Sequence, residues 1–212
     1  MTLANKLTST RLVIAPVFFI IYLFPGHFST FFYYIFPSVD GNSLFLSAKW
    51  TVPALWFLFI LSEITDMLDG MIARRQGEVS DSGKLFDPFA DTLTQITYFL
   101  CFVVDGIFPP FFFLIVLYRE FSILFVRNLM LKKGVTMGAR MSGKVKTVFY
   151  IIAGALALLA SSVDRLGFFI EFSHIFKIAA RAGFIFSVAI AVFSFIDYLL
   201  LFVKTSDGPR QN

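Results

Sequence analysis

The sequence has little of what a soluble or secreted protein carries. Its 212 residues include one cysteine, Cys101, and two histidines, His27 and His174. One cysteine excludes an intrachain disulfide, and its place in an apolar run reads as packing. Charged residues make up 15% of the chain against 58% hydrophobic, and the mean hydropathy is +0.80. That balance excludes an ordinary soluble domain and puts the chain in a lipid bilayer. The net charge of +4 is too small to argue nucleic-acid binding in so apolar a protein; it fits anionic-lipid contact and positive cytoplasmic loops. No small-x-small cleavage site follows the first apolar run, where Phe24-Pro25-Gly26-His27 is bulky and turn-forming, so that run is expected to stay as a membrane span. No internal repeat or low-complexity linker breaks the chain, and the length suits one domain over 1–212. The 30 phenylalanines have no functional account at this level.

Six apolar stretches predict an all-α integral membrane protein with six transmembrane helices. They are Leu12 to Phe24, Trp50 to Met71, Phe86 to Val104, Phe111 to Leu131, Val145 to Ser161 and Ile178 to Val203. Pro16 is expected to bend the first. Asn5 to Thr8, with Arg11, reads as a short amphipathic segment lying along the interface. An even number of spans puts both termini on one side. On that side fall Lys6, Arg11, Arg74, Arg75, Lys84, Lys132, Lys133, Arg140, Lys144, Lys146, Lys204 and Arg210; opposite are Lys49, Arg165, Lys177 and Arg181. The excess assigns the terminal side to the cytoplasm.

The informative stretch is DMLDGMIARRQGEVSDSGKLFDPFAD, from Asp66 to Asp91. Asp66 and Asp69 are three apart and Asp87 and Asp91 four apart, so each pair shares a helix face. Two helices presenting such pairs at their ends can face each other across the short Arg74 to Gly83 connection. Four clustered carboxylates repel strongly at low dielectric unless a cation neutralises them. Hard oxygen donors of this kind suit Mg²⁺, Mn²⁺ or Ca²⁺ rather than zinc, and the stretch reads as a two-metal site. Gly70 and Ala73 leave room for a ligand to come close, Arg74 offers a donor fork to phosphate, and Gly83 helps the chain turn into the next helix. His27 and His174 fall on the opposite side and are not read as ligands; Asp105, Asp164 and Glu171 read as solvated charges.

Written out, the stretch is D-x-x-D-G-x-x-A-R-x8-G-x3-D-x3-D. It resembles the signature of the CDP-alcohol phosphotransferase family, with every fixed position present. The resemblance implies a membrane enzyme in which an alcohol attacks a CDP-linked phosphate and CMP is released. It also implies that Asp66, Asp69, Asp87 and Asp91 bind metal (Mg²⁺ or Mn²⁺, two ions), and that Asp91 is also the general base. Gly70, Ala73, Arg74 and Gly83 would belong to the nucleotide-diphosphate pocket, and the enzyme would be a homodimer.

A second constellation bears on the acceptor. Arg119 and Arg127 are eight apart, about 80° from one another around a helix, so both can face one cavity. Arg140, Gly143, Lys144, Lys146 and Thr147 crowd the entrance of the fifth span. A basic funnel beside the carboxylates suits a phosphate-bearing acceptor, with Arg119, Arg127, Arg140 and Lys144 gripping the phosphate. A structural pairing of Arg119 with Glu120 stands beside that reading. The patterns Arg-Glu-x6-Arg, Gly-Lys-x-Lys-Thr, Asn5-Lys6-Leu7-Thr8-x2-Arg11 and Asp197-Tyr198-Leu199 look like those of the bacterial branch that joins CDP-diacylglycerol to glycerol 3-phosphate. Phe149-Tyr150 departs from that branch, which often has a polar residue there. The resemblance therefore implies those two substrates, a bacterial cytoplasmic membrane and a site facing the cytoplasm. Other acceptors, inositol phosphate or phosphatidylglycerol, fit the funnel too. A cation or proton transporter is the rival of another class; carboxylates at helix ends beside Arg74, Arg75 and Lys84, without repeated halves, argue against it.

Overall fold

The computed structural model describes residues 3–24, 48–76, 81–132 and 141–206, with the side chains of 8–24, 49–68, 71, 86–132, 143, 145–200 and 202. The described chain is helical throughout: α1 (Leu3–Leu23), α2 (Ala48–Gln76), α3 (Asp81–Val104), α4 (Pro110–Lys132), α5 (Met141–Leu166) and α6 (Ile170–Ser206). Among the described residues, three stretches are long and apolar enough to cross a membrane, Lys49–Leu68, Val145–Leu166 and Ile170–Leu200.

The predicted spans correspond to these helices one for one, with bounds that differ most at the first, second, third, fifth and sixth. The first helix starts at Leu3, so Asn5 to Arg11 forms its opening turns. Thr8 and Arg11, three apart on one face, are buried in the bundle instead of lying along the interface. The fifth and sixth helices extend beyond their apolar cores, to Leu166 and from Ile170, because polar residues there find partners. Asp164 accepts from Ser173 and pairs with Lys177 at 2.6 Å, tying the end of α5 to the start of α6. Nor is Asp105 simply solvated: it accepts from Tyr22 Oη (2.6 Å) and Ser161 Oγ (3.2 Å).

α1 packs on both α2 and α3, α5 runs against α6, and α4 closes the bundle against α3 and α6. Aromatic rings fill the centre. Phe99 meets Phe108, Tyr150 and Phe184 at centroid separations of 5.5, 5.1 and 5.1 Å, and Phe108 stacks on Phe184 at 4.0 Å. Part of the phenylalanine content is thus core, while Phe57, Phe111, Phe125 and Phe193 point outward, as side chains bathed in lipid can.

The end of the bundle remote from Arg11 is clamped by Arg165. It donates to the Tyr22 carbonyl (2.8 Å), Ser161 Oγ (3.1 Å) and Thr51 Oγ1 (3.2 Å), joining α5 to α1 and α2. Backbone signals close the helices there. Ile107 N donates to Phe102 O and Gly106 N to Val103 O, both at 2.9 Å, a Schellman cap with Gly106 at φ +69°. Its hydrophobic closure is supplied by Phe102 and Ile107, 0% and 1% exposed. No atom lies within 4 Å of a Cβ built on Gly106, so the left-handed φ alone demands glycine. Gly106→Ala should therefore lower unfolding stability in detergent by about 1 kcal/mol, with turnover per folded molecule unchanged.

Candidate active site and metal centre

α1 is wedged between the two helices that carry the acidic residues. Asp66 comes from α2, ten residues before its end, and Asp87 and Asp91 from the opening turns of α3. Each offers one carboxylate oxygen to a cluster whose atoms all lie within 4.8 Å of one another. Arg11 of α1, 1% exposed, reaches into this cluster: Nη1 donates to Asp66 Oδ1 and Nη2 to Asp87 Oδ1, both at 2.5 Å, and Nη1 also pairs with Asp91. Thr8, one turn earlier, donates to Asp87 at 3.5 Å. The two acid-bearing helices thus meet across a guanidinium, which the composition of 5–11 did not suggest. The only trace in the sequence was the Asn-Lys-Leu-Thr-x2-Arg match itself.

The donor set fits a divalent cation. Three convergent carboxylate oxygens are hard ligands, and a buried positive group already occupies their midst, so the pocket is built around cationic charge. Of the other residues expected here, the side chains of Asp69, Gly70, Ala73, Arg74 and Gly83 lie outside the described residues.

From the carboxylates a cavity of about 230 Å³ runs to a basic end. Asp66 and Asp91 line it with Glu63 and Tyr98 at one end, and Arg119, Glu120, Arg127, Lys146 and Tyr198 at the other. The wall follows helical spacing: Arg119, Ile123 and Arg127 on α4, and Gly143, Lys146, Thr147 and Tyr150 on α5. Arg119 and Arg127 face one cavity, as their spacing predicted, but in different states. Arg119 donates from Nη1 to Glu120 (2.8 Å), from Nη2 to Ser194 (3.2 Å) and from Nε to the Ala191 carbonyl (3.2 Å). Arg127 donates from Nη2 to Tyr198 Oη (3.2 Å), while its buried Nε has no partner. Lys146, 7% exposed, is the described lysine of the fifth span that reaches the cavity; Lys144's side chain and all of Arg140 lie outside the described residues. Glu63 and Tyr150 went unassigned in the sequence, and Glu120 was read only as a structural partner of Arg119; a tyrosine in an apolar run reads as packing.

Hard-ligand acids at one end of a small cavity and cations at the other are the chemistry of a phosphate-handling site. Residues 1–196 match the CDP-alcohol phosphatidyltransferase family. The chain belongs to that family. Among relatives of this phosphatidyltransferase, the CDP-diacylglycerol–glycerol-3-phosphate 3-phosphatidyltransferase of Treponema pallidum (strain Nichols) is 35% identical over 205 residues, covering 95% of this chain and 89% of the relative. The Bacillus subtilis (strain 168) protein of the same name is 31% identical, covering 74% of this chain and 76% of its own. A probable phosphatidylglycerophosphate synthase of Mycobacterium tuberculosis (strain CDC 1551 / Oshkosh) is 27% identical, covering 99% and 85%. Family membership removes the transporter reading: the protein is an enzyme.

Arg11→Met would leave three carboxylates facing one another without their built-in cation. Removing one partner of a buried ion pair costs several kcal/mol, but these carboxylates are 41–44% exposed and partly screened by solvent. The expected loss in metal-free protein is about 2 kcal/mol. Denaturation with and without Mg²⁺ checks it; the cation should raise the Tm of the variant more than that of the wild type.

Proposed function

We propose that this phosphatidyltransferase moves the phosphatidyl group of CDP-diacylglycerol onto sn-glycerol 3-phosphate, giving phosphatidylglycerophosphate and CMP. One observation carries the reading beyond the names of the relatives: a single cavity joins the carboxylate cluster to Arg127 and Lys146. At about 230 Å³ it has room for the equivalent of about seven waters. That suits a small polar acceptor, whereas the acyl chains of a lipid donor would stay in the bilayer. Opposite charge at its two ends orients such an acceptor in low dielectric, with its phosphate toward Arg127 and its hydroxyl toward Asp91.

Asp66, Asp69, Asp87 and Asp91 would hold two divalent ions, Mg²⁺ or Mn²⁺, which supply neutralisation of the diphosphate charge and stabilise the leaving CMP when bound. Gly70, Ala73, Arg74 and Gly83 would receive the nucleotide diphosphate; that rests on the sequence signature. Asp91 takes the proton from the acceptor hydroxyl as its oxygen bonds to the lipid-linked phosphorus, and the bond to CMP breaks with its electron pair leaving on CMP. Arg119, Arg127, Arg140 and Lys144 would form the basic surround of the acceptor phosphate. The six helices would all span, with both termini and the site on the cytoplasmic face of a bacterial cytoplasmic membrane, as the distribution of basic residues supports. A homodimer is implied by the family resemblance alone.

Purified protein given CDP-diacylglycerol and Mg²⁺ should release CMP with glycerol 3-phosphate and not with inositol phosphate or phosphatidylglycerol. Release only with another alcohol would overturn the acceptor. Asp91→Asn should cut turnover by about 10³-fold with binding of the lipid nucleotide retained; a variant as active as wild type would sink the base assignment.

A further inference from the structure

The basic end of the cavity contains an anion that the proposed chemistry does not use. Glu120 is 5% exposed, and its Oε1 accepts from Arg119 Nη1 at 2.8 Å and Lys146 Nζ at 2.7 Å. A carboxylate in an acceptor-phosphate pocket repels the ligand unless it has another task. Arg119 is held on three sides, by Glu120 and by Ser194 and the Ala191 carbonyl of α6. Lys146 is held by Glu120 and lies over the Tyr150 ring at 4.7 Å. Arg127 instead keeps a buried Nε with no partner, whereas the Tyr150 hydroxyl in the same cavity wall interacts with the Glu120 carboxylate. Buried polar atoms left unpaired in this way are costly unless a ligand satisfies them.

We infer that Glu120 and Lys146 form a positioning pair that fixes Arg119 and sets the charge of the pocket, leaving Arg127 to meet a dianionic phosphomonoester. The inference rests on the proposed acceptor site and deepens it. Three cations against one carboxylate leave two net positive charges among the described side chains of this wall. Two charges match a phosphate monoester, which is a dianion near neutral pH. They over-neutralise a phosphodiester such as a lipid head group, which carries one. The Lys146 ammonium then acts through Glu120 and does not itself grip the phosphate; Glu120 and Lys146 are positioning residues.

A double-mutant cycle separates pair from ligand contact. Lys146→Gln alone strands the Glu120 carboxylate in the wall and should raise KM for glycerol 3-phosphate by about tenfold or more, with kcat nearly unchanged. Glu120→Gln with Lys146→Gln removes both charges, keeps the net charge of the wall and keeps an acceptor for Arg119. Its KM should return to within about threefold of wild type, with glycerol 3-phosphate still preferred over its phosphomethyl ester. A double variant as impaired as Lys146→Gln would show that Lys146 binds the phosphate directly and would overturn the pair. Should the double variant fail to fold, Arg127→Gln keeps the pair intact. It should raise KM by about thirtyfold, and a change under threefold would overturn the inference. Wild-type turnover with a phosphodiester acceptor alone would overturn the inference and the acceptor reading together. Turnover with glycerol 3-phosphate and a damaged double variant would overturn the pair alone.

Discussion

Three carboxylates whose oxygens gather within 4.8 Å cannot share a corner of an apolar bundle without positive charge between them. Arg11 provides that charge from a third helix, and the packing follows from it. α1 must lie between α2 and α3 for its guanidinium to reach Asp66 on one side and Asp87 and Asp91 on the other. Arg165 repeats the arrangement toward the other end of α1, taking the Tyr22 carbonyl, Thr51 and Ser161. α1 is thus fastened at Arg11 and Tyr22, about 16 Å apart along its axis, and what lies between is aromatic packing, with Phe18 against Tyr98 at 4.4 Å.

That frame explains how a small polar cavity survives inside an apolar chain. Its floor is rigid: Phe99 touches the cavity and is braced by Phe108, Tyr150 and Phe184. Its walls come from helices whose polar residues recur every three or four positions, so each helix shows the cavity one narrow polar stripe and turns the rest of its surface to packing or to lipid. Gly143 also lines the cavity, where a Cβ would make only an ordinary contact, 3.8 Å, with Tyr198 Oη, the partner of Arg127.

Much of this was legible in the sequence. The apolar runs marked the six described helices, because a chain this hydrophobic has few other ways to satisfy its backbone. Asp87 and Asp91 were readable as a shared face because that relation is local and periodic, and so was the approach of Arg119 and Arg127 to one cavity. Arg11 was not, since its partners lie 55, 76 and 80 positions away and its own neighbours resemble an interfacial segment. The links of Tyr22 to Asp105 and of Asp164 to Ser173 were hidden for the same reason: one polar atom in an apolar run carries no sign of which helix it will face. Lys146 and Lys144 looked alike in a basic stretch, and only the register of α5 shows that Lys146 enters the cavity.

The place of Arg11 near the start of the chain also constrains how the protein is made. α1 leaves the ribosome before either helix that supplies its counter-charges, with a guanidinium that cannot remain alone in hydrocarbon. Its arginine end therefore lacks its counter-charges until α2 and then α3 have been made. Final seating of the first helix becomes a late, long-range step of assembly. The acid cluster is completed in the same event, so a chain that stalls before α3 has an unneutralised arginine and an incomplete site together.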